Sequence, residues 1–162
     1  MEKIIFNKRF LARNEANYVG QYLTPSETVE NEQFEKKCIS IIANKLKSSF
    51  VHLTSSGTAA LEVSSILSDL EPDDEVIMPS FTFSSTANAV ALRGGVPVFV
   101  DIKPDTLNID ERIINLAITS KTKAIVVVHY AGLACNMNAI LKLAKDNGLL
   151  VIEDAAQALG SY

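Results

Sequence analysis

The chain has 162 residues, 48% of them hydrophobic, and a formal net charge of −4. That length is enough for one ordinary domain with a real core. The acidic balance argues against a nucleic-acid footprint, and no apolar run is long enough to span a membrane.

The amino terminus, Met1 to Phe10, lacks the apolar core and small-residue cleavage site of a secretory signal, which predicts a soluble, cytoplasmic chain. Residues 1–30 read as an amino-terminal helical segment, with Tyr18, Val19, Tyr22 and Leu23 at helical spacing. Thr24-Pro25-Ser26-Glu27 breaks that segment and opens another helix. From Val29 to Leu46 the apolar set Phe34, Cys38, Ile41, Ile42 and Leu46 follows one stripe. Cys38 and Cys135 have no metal-like spacing and read as two buried thiols in a reducing compartment.

From residue 51 strands and helices alternate. Val51 to Thr54 is a short strand, followed by Ser55-Ser56-Gly57-Thr58 and a helix through Leu70. Glu75 to Pro79 is a second strand, and a helix from about Ser84 to Arg93 stops at Gly94-Gly95. Val96 to Val100 is a third strand, and a helix from about Asp110 to Ile118 follows. Ala124 to Val128 is a fourth strand, with β-branched residues at all of its last positions. Met137 to Asn147 is a helix closed by Gly148, and Leu149 to Ile152 is a fifth strand. Apolar strands alternating with helices predict an α/β fold, a mainly parallel sheet with helices on both faces. Residues 31–162 form this part of the chain.

Open parallel sheets bind ligands at the carboxyl ends of their strands. After the first strand, Ser56, Gly57 and Thr58 lead into a helix amino terminus, whose free N–H groups and dipole suit a phosphate. The same residues equally suit a plain N-cap and tight turn. After the second strand, Phe81 and Phe83 stand among hydroxyl residues; they offer a flat face to a planar ligand, or simply enter the core. His129 after the fourth strand reads as a hydrogen-bonded structural residue. Asp154 and Gln157 follow the fifth strand, where Asp154 either caps the next helix or faces a ligand. Phosphate loop, aromatic face and carboxylate share one edge. That set suits a phosphorylated, planar, protonatable heterocycle, and pyridoxal phosphate has those three features.

At these residues the chain resembles the pyridoxal-phosphate-dependent nucleotide-sugar aminotransferases of the DegT/StrS type, which have the fold type I architecture. The matching pieces are Ser56 to Leu61, Asp74 to Phe83, Pro97 to Asp101, Asn108 to Asp110, His129 to Gly132 and Glu153 to Gln157. Within the family, Pro104 to Asp110 and His129 to Met137 most resemble the transaminase that acts on TDP-4-keto-6-deoxy-glucose. The resemblance implies that Gly57 and Thr58 hold the cofactor phosphate and that Phe83 stacks on the pyridine ring. It implies that Asp154 pairs with the ring nitrogen and Gln157 hydrogen-bonds the ring hydroxyl. Glutamate would be the amino donor, a nucleotide-linked keto sugar the acceptor, and the assembly a homo-oligomer.

The family also needs a Schiff-base lysine shortly after the Asp-bearing strand, in a Ser-x-x-x-x-Lys-like context. The chain reaches Tyr162 before such a segment, so no catalytic residue is assigned and the chain alone is expected to be inactive. Lys103, Lys121, Lys123, Lys142 and Lys145 are poor substitutes by position. The family's large domain places two later strands between the first and fifth, so Val51 to Thr54 is expected to be displaced or paired with another molecule. Two other readings remain: a noncatalytic module that binds pyridoxal phosphate or a nucleotide, and a flavodoxin-like binder in which Asp154 is only a helix cap.

Overall fold

The computed structural model describes residues 11–24 and 32–161. These fall into two compact units, one ending at Leu53 and one beginning at Thr54.

The first unit contains two helices, α1 (Glu15–Leu23) and α2 (Glu32–Leu46). The apolar spacing of α1 brings Tyr18 and Tyr22 edge-on to Phe34 of α2, with ring centroids 6.2 and 6.1 Å apart. That contact leaves much of the α2 stripe open, although Ile42 is half-buried. Ile41 and Cys38 are exposed, which corrects the expectation of two buried thiols. Both cysteines are free. The break expected at Thr24 to Glu27 and the helix start at Val29 lie largely outside the described residues; Thr24 itself closes α1 by donating its N–H to Gly20. Val51 to Thr54 forms no strand among the described residues. Four residues of suitable composition do not make a strand unless a neighbour takes their hydrogen bonds.

The second unit is built on a sheet of β1 (Glu75–Pro79), β2 (Val96–Val100), β3 (Thr122–Val128) and β4 (Leu150–Asp154). All neighbours are parallel and the order is β2-β1-β3-β4. The alternation of side chains divides the strands cleanly. Val76, Met78, Ala124 and Val126 face one way, with Val90 of α4 (Ser84–Ala91). Ile77, Ile125 and Val127 face the other, with Ile140 and Ala144 of α5 (Met137–Asn147). Helices therefore cover both faces, and α3 (Gly57–Leu67) packs beside α4. The α/β reading of the sequence is what the structure shows.

Local chemistry sets the ends of α5. Asn136 accepts the Ala139 N–H at its start, and Gly148 closes it in the left-handed conformation with φ 68°. The expected helix over Asp110 to Ile118 is instead a short 3-10 turn at Ile114–Ala117. Asp110 is the cause. Its carboxylate takes the Arg112 backbone N–H and the Nε and Nη2 donors of the Arg112 guanidinium, at 3.1, 2.8 and 2.7 Å. The backbone then tightens, with Ile113 and Leu116 donating to carbonyls three residues back.

Two outcomes follow from this packing. Ile77→Ala, at a fully buried central position, is expected to cost about 2–5 kcal/mol, read as a lower urea midpoint with an unchanged slope. The Arg112 hydrogen bonds hold the Asp110 carboxyl down at about 2, against burial, from an ordinary 3.8. A depressed carboxyl contributes stability above its free value and loses it as pH falls through the folded one. That contribution should therefore fade between pH 3.8 and about 2, and Asp110→Asn should remove this part of the acid dependence in urea midpoints measured across that window.

Candidate functional site

The carboxyl ends of β1, β3 and β4 open onto the amino terminus of α3. Ser56 caps that helix, its Oγ accepting the Ala59 N–H at 3.1 Å. Gly57 and Thr58 are its first two residues, and their amides have no carbonyl one turn back to bond. A side-chain carbon built on Gly57 would meet nothing within 4 Å, so the approach to those amides is clear. The N-cap reading is right for Ser56, and the cap leaves the next two donors free.

Phe83 ends the β1 loop at the N-cap position of α4. Its ring is 73% exposed, and Phe81 is 46% exposed, so neither enters the core. Phe81 lies 5.2 Å from the Tyr130 ring, tilted by 58°. Asp154 is the last residue of β4, two further than the strand expected from sequence. Among the described residues no helix follows it; residues 156–160 form turns. Asp154 Oδ1 accepts the Ala156 N–H at 3.0 Å, a local bond that fixes the carboxylate and leaves its other oxygen available. Gln157 Oε1 accepts the Ala131 N–H at 2.6 Å. Its amide NH2 is therefore the group it offers outward.

These placements bring Gly57, Thr58, Phe83, Asp154 and Gln157 to one open cleft of about 330 Å³, with Leu61, Ser85 and Ala156. An adjoining hollow of about 240 Å³ shares Phe83, Asp154 and Gln157 and adds Phe81, Thr82, Val128 and Tyr130. Among the described residues no lysine lines either space. Lys103 is engaged with Glu111 at 2.9 Å and Lys142 with Asp146 at 2.5 Å. Lys121 immediately precedes β3, at the opposite edge of the sheet from Asp154.

A second layer, not assigned from sequence, holds the cleft wall. Asn108 is buried, and its side chain grips both ends of the 130–133 turn: Nδ2 donates to Leu133 O and Oδ1 accepts the Tyr130 N–H, both at 2.9 Å. His129 is structural, as expected. Its Nδ1 accepts the Cys135 N–H at 3.1 Å, so Nε2 carries the proton toward Glu153 at 2.9 Å. Burial pushes the Cys135 thiol up, and it points at Val128 O. Gly132 has φ 84°, and a side-chain carbon there would lie 2.8 Å from Ser161 Oγ and 3.1 Å from Gln157 O. The close passage of the 155–161 turn needs that glycine. The Asn-Ile-Asp stretch at 108–110 and the glycine after His-Tyr-Ala were the available signals, but neither names its partner.

The donor set suits a ligand with an anionic end, a flat ring and a cationic ring nitrogen. Comparison with known proteins agrees on ancestry. Residues 10–162 match the model of the DegT/DnrJ/EryC1/StrS aminotransferase family, and the chain belongs to that family. The spore coat polysaccharide biosynthesis protein SpsC of Bacillus subtilis is 44% identical over 128 residues, covering 79% of this chain and 32% of SpsC. The structure of NtdA from Bacillus subtilis with bound cofactor PMP superposes with a TM-score of 0.82 at 36% identity, covering 93% of this chain and 35% of that one. An aminotransferase from Psychrobacter cryohalolentis superposes at 0.84 with 34% identity, covering 93% and 38%. The chain thus spans about a third of the length of the curated relatives it matches.

If Asn108 holds the 130–133 turn as described, Asn108→Ala removes both of these hydrogen bonds, at a cost of about 1–3 kcal/mol. A thermal midpoint equal to that of the unaltered protein would contradict this.

Proposed function

We propose that the protein is a pyridoxal-phosphate-dependent sugar aminotransferase, with its cofactor held in the cleft between the amino terminus of α3 and the end of β4. The observation that carries the reading is that Gly57, Thr58, Phe83, Asp154 and Gln157, far apart in sequence, line that single cleft.

In this reading the free amides of Gly57 and Thr58, with the Thr58 hydroxyl, bind the phosphate. Phe83 covers one face of the ring and excludes water from it. The Asp154 carboxylate holds a proton at the pyridine nitrogen, each charge favouring the other. The Gln157 amide donates to the ring oxygen. When bound, the group supplies the electron sink that amino transfer requires. The covalent lysine is assigned to the two thirds of the relatives' length that this chain does not span, since none of its described lysines lines the cleft.

The substrate reading follows the family resemblance: glutamate donates, and a 4-keto-6-deoxy nucleotide sugar, of the TDP-4-keto-6-deoxy-glucose type, accepts. A relative in spore coat polysaccharide biosynthesis supports a sugar acceptor. The protein is read as a cytoplasmic homo-oligomer without nucleic-acid or membrane partners. The net charge of −4 argues against a nucleic-acid partner, and the exposed apolar side chains Leu67, Phe99 and Leu116 favour self-association. Among the described residues no helix is long and apolar enough to cross a membrane. A second reading, a noncatalytic module that binds the cofactor, is favoured by the same absence of a lysine from the cleft.

The test uses the protein expressed from its full reading frame. Pyridoxal phosphate titrated against it should give a saturable absorption change, and Asp154→Asn should weaken binding about tenfold or more. An Asp154→Asn variant that binds as tightly as the unaltered protein would sink the ring-nitrogen assignment. Borohydride reduction and peptide mapping then locate the covalent site; an adduct on Lys103, Lys121 or Lys142 would overturn the lysine assignment. Binding with no transfer from glutamate to any 4-keto-6-deoxy nucleotide sugar would leave the noncatalytic module standing.

A further inference from the structure

Ser85 is the one residue of the cleft lining that is fully buried, at 6% exposure, and carries a titre of hydrogen-bonding capacity with no role so far. Its Oγ lies 2.7 Å from Thr58 Oγ1, joining the amino termini of α4 and α3. The distance fits either direction of donation, and the surroundings favour Ser85 as the donor. Serines in a helix interior usually give their proton to the carbonyl one turn back, as Ser64 does to Ala60 O at 2.8 Å. Ser85 is the second residue of α4, so the residue four back, Phe81, lies outside the helix and supplies no such acceptor. A buried hydroxyl must place its proton somewhere. Among the described residues its partner is Thr58 Oγ1. Thr58 is exposed to the cleft and can direct its own proton outward.

Resting on the cofactor reading above, we propose that Ser85 is a positioning residue for the phosphate end of the cleft: it donates to Thr58 Oγ1 and thereby turns the Thr58 proton toward the bound anion. Thr58 is β-branched, so few side-chain rotamers compete with that orientation. Two hydroxyls aligned head to tail polarise one another, and the outer proton becomes the better donor to an anion. The opposite arrangement, with Thr58 donating to Ser85, would leave a lone pair facing the phosphate.

The proposal predicts an effect confined to the phosphate. Pyridoxamine phosphate and pyridoxamine are titrated against the full-reading-frame protein, because neither condenses with a lysine. The unaltered protein should prefer the phosphorylated compound. Ser85→Ala should weaken pyridoxamine phosphate about fivefold and leave pyridoxamine within about twofold. In a Thr58→Ala background Ser85→Ala should have no further effect, since the two act as one chain. Ser85→Thr, which keeps the hydroxyl, should retain the preference and serves if the alanine variant does not fold. Equal loss for both compounds, no loss for either, additive losses with Thr58→Ala, or loss of the preference in Ser85→Thr overturns the role of Ser85. An unaltered protein that binds neither compound overturns the cofactor reading and this inference together.

Discussion

The site depends on one backbone contact. Val128 of β3 pairs with Asp154 of β4, and the next amide, of His129, donates to the Asp154 carbonyl at 3.1 Å. That bond carries the parallel register one residue past the end of β3. It fixes where the chain leaves the sheet on both strands. On one side the 129–133 loop begins, bringing the Ala131 N–H within reach of Gln157. On the other the 155–161 turn begins, with the Asp154 carboxylate at its base. A slip of one residue in this register would exchange the faces of β4 and turn the carboxylate away from the cleft. The second layer guards the same junction: His129 reaches Glu153, beside Asp154, and Asn108 clamps both ends of the loop.

Capping and ligand contact were competing explanations at two places, Ser56 and Asp154. The structure shows that Ser56 caps α3, whereas Asp154 makes a local turn bond with no helix after it among the described residues, and that neither bond exhausts its residue. Ser56 takes the Ala59 amide, the third in α3, and the two amides before it stay free. Asp154 takes the Ala156 amide with one oxygen and keeps the other. The local bond helps the wider role, because a side chain already held in place loses less freedom when a ligand arrives. The choice between a cap and a binding group is therefore false wherever a residue has more acceptors or neighbours than its cap uses.

The readable parts of the sequence were those governed by local rules. Continuous apolar runs for the strands, with Gly148 as punctuation for the helix, place β1, β2, β3 and α5 within a residue or two. The ends of β1 and β4 then place Phe83, Asp154 and Gln157 at one edge, and Gly57 and Thr58 join them from the start of α3, although the strand expected before them is not formed. Asp110 defeated a helical reading because its carboxylate found a guanidinium two residues on, a bond that apolar periodicity does not register. Val51 to Thr54 failed for the opposite reason: its composition suits a strand, but strand formation belongs to the pair and not to the segment. Asn108 and Ser85 were hidden because their meaning lies 22 to 27 residues away, in Tyr130, Leu133 and Thr58.

The hydrogen bonds that stay inside the protein determine which groups it presents to the cleft. Gln157 spends its carbonyl oxygen on Ala131 and presents an NH2. The first two amides of α3 present N–H groups at the other end. Asp154, in the same cleft, presents an acceptor and no donor. Donors at two ends and a carboxylate at a third point are opposite in sign to a phosphate, a ring oxygen and a protonated ring nitrogen. The order of these groups matters more than their number. A nucleotide phosphate would find the helix amides, but its neutral base would give the carboxylate nothing charged to pair with, and an unpaired carboxylate resists losing its water. A ring whose nitrogen can hold a proton meets that requirement, and for this reason the cofactor reading is favoured over a generic nucleotide binder.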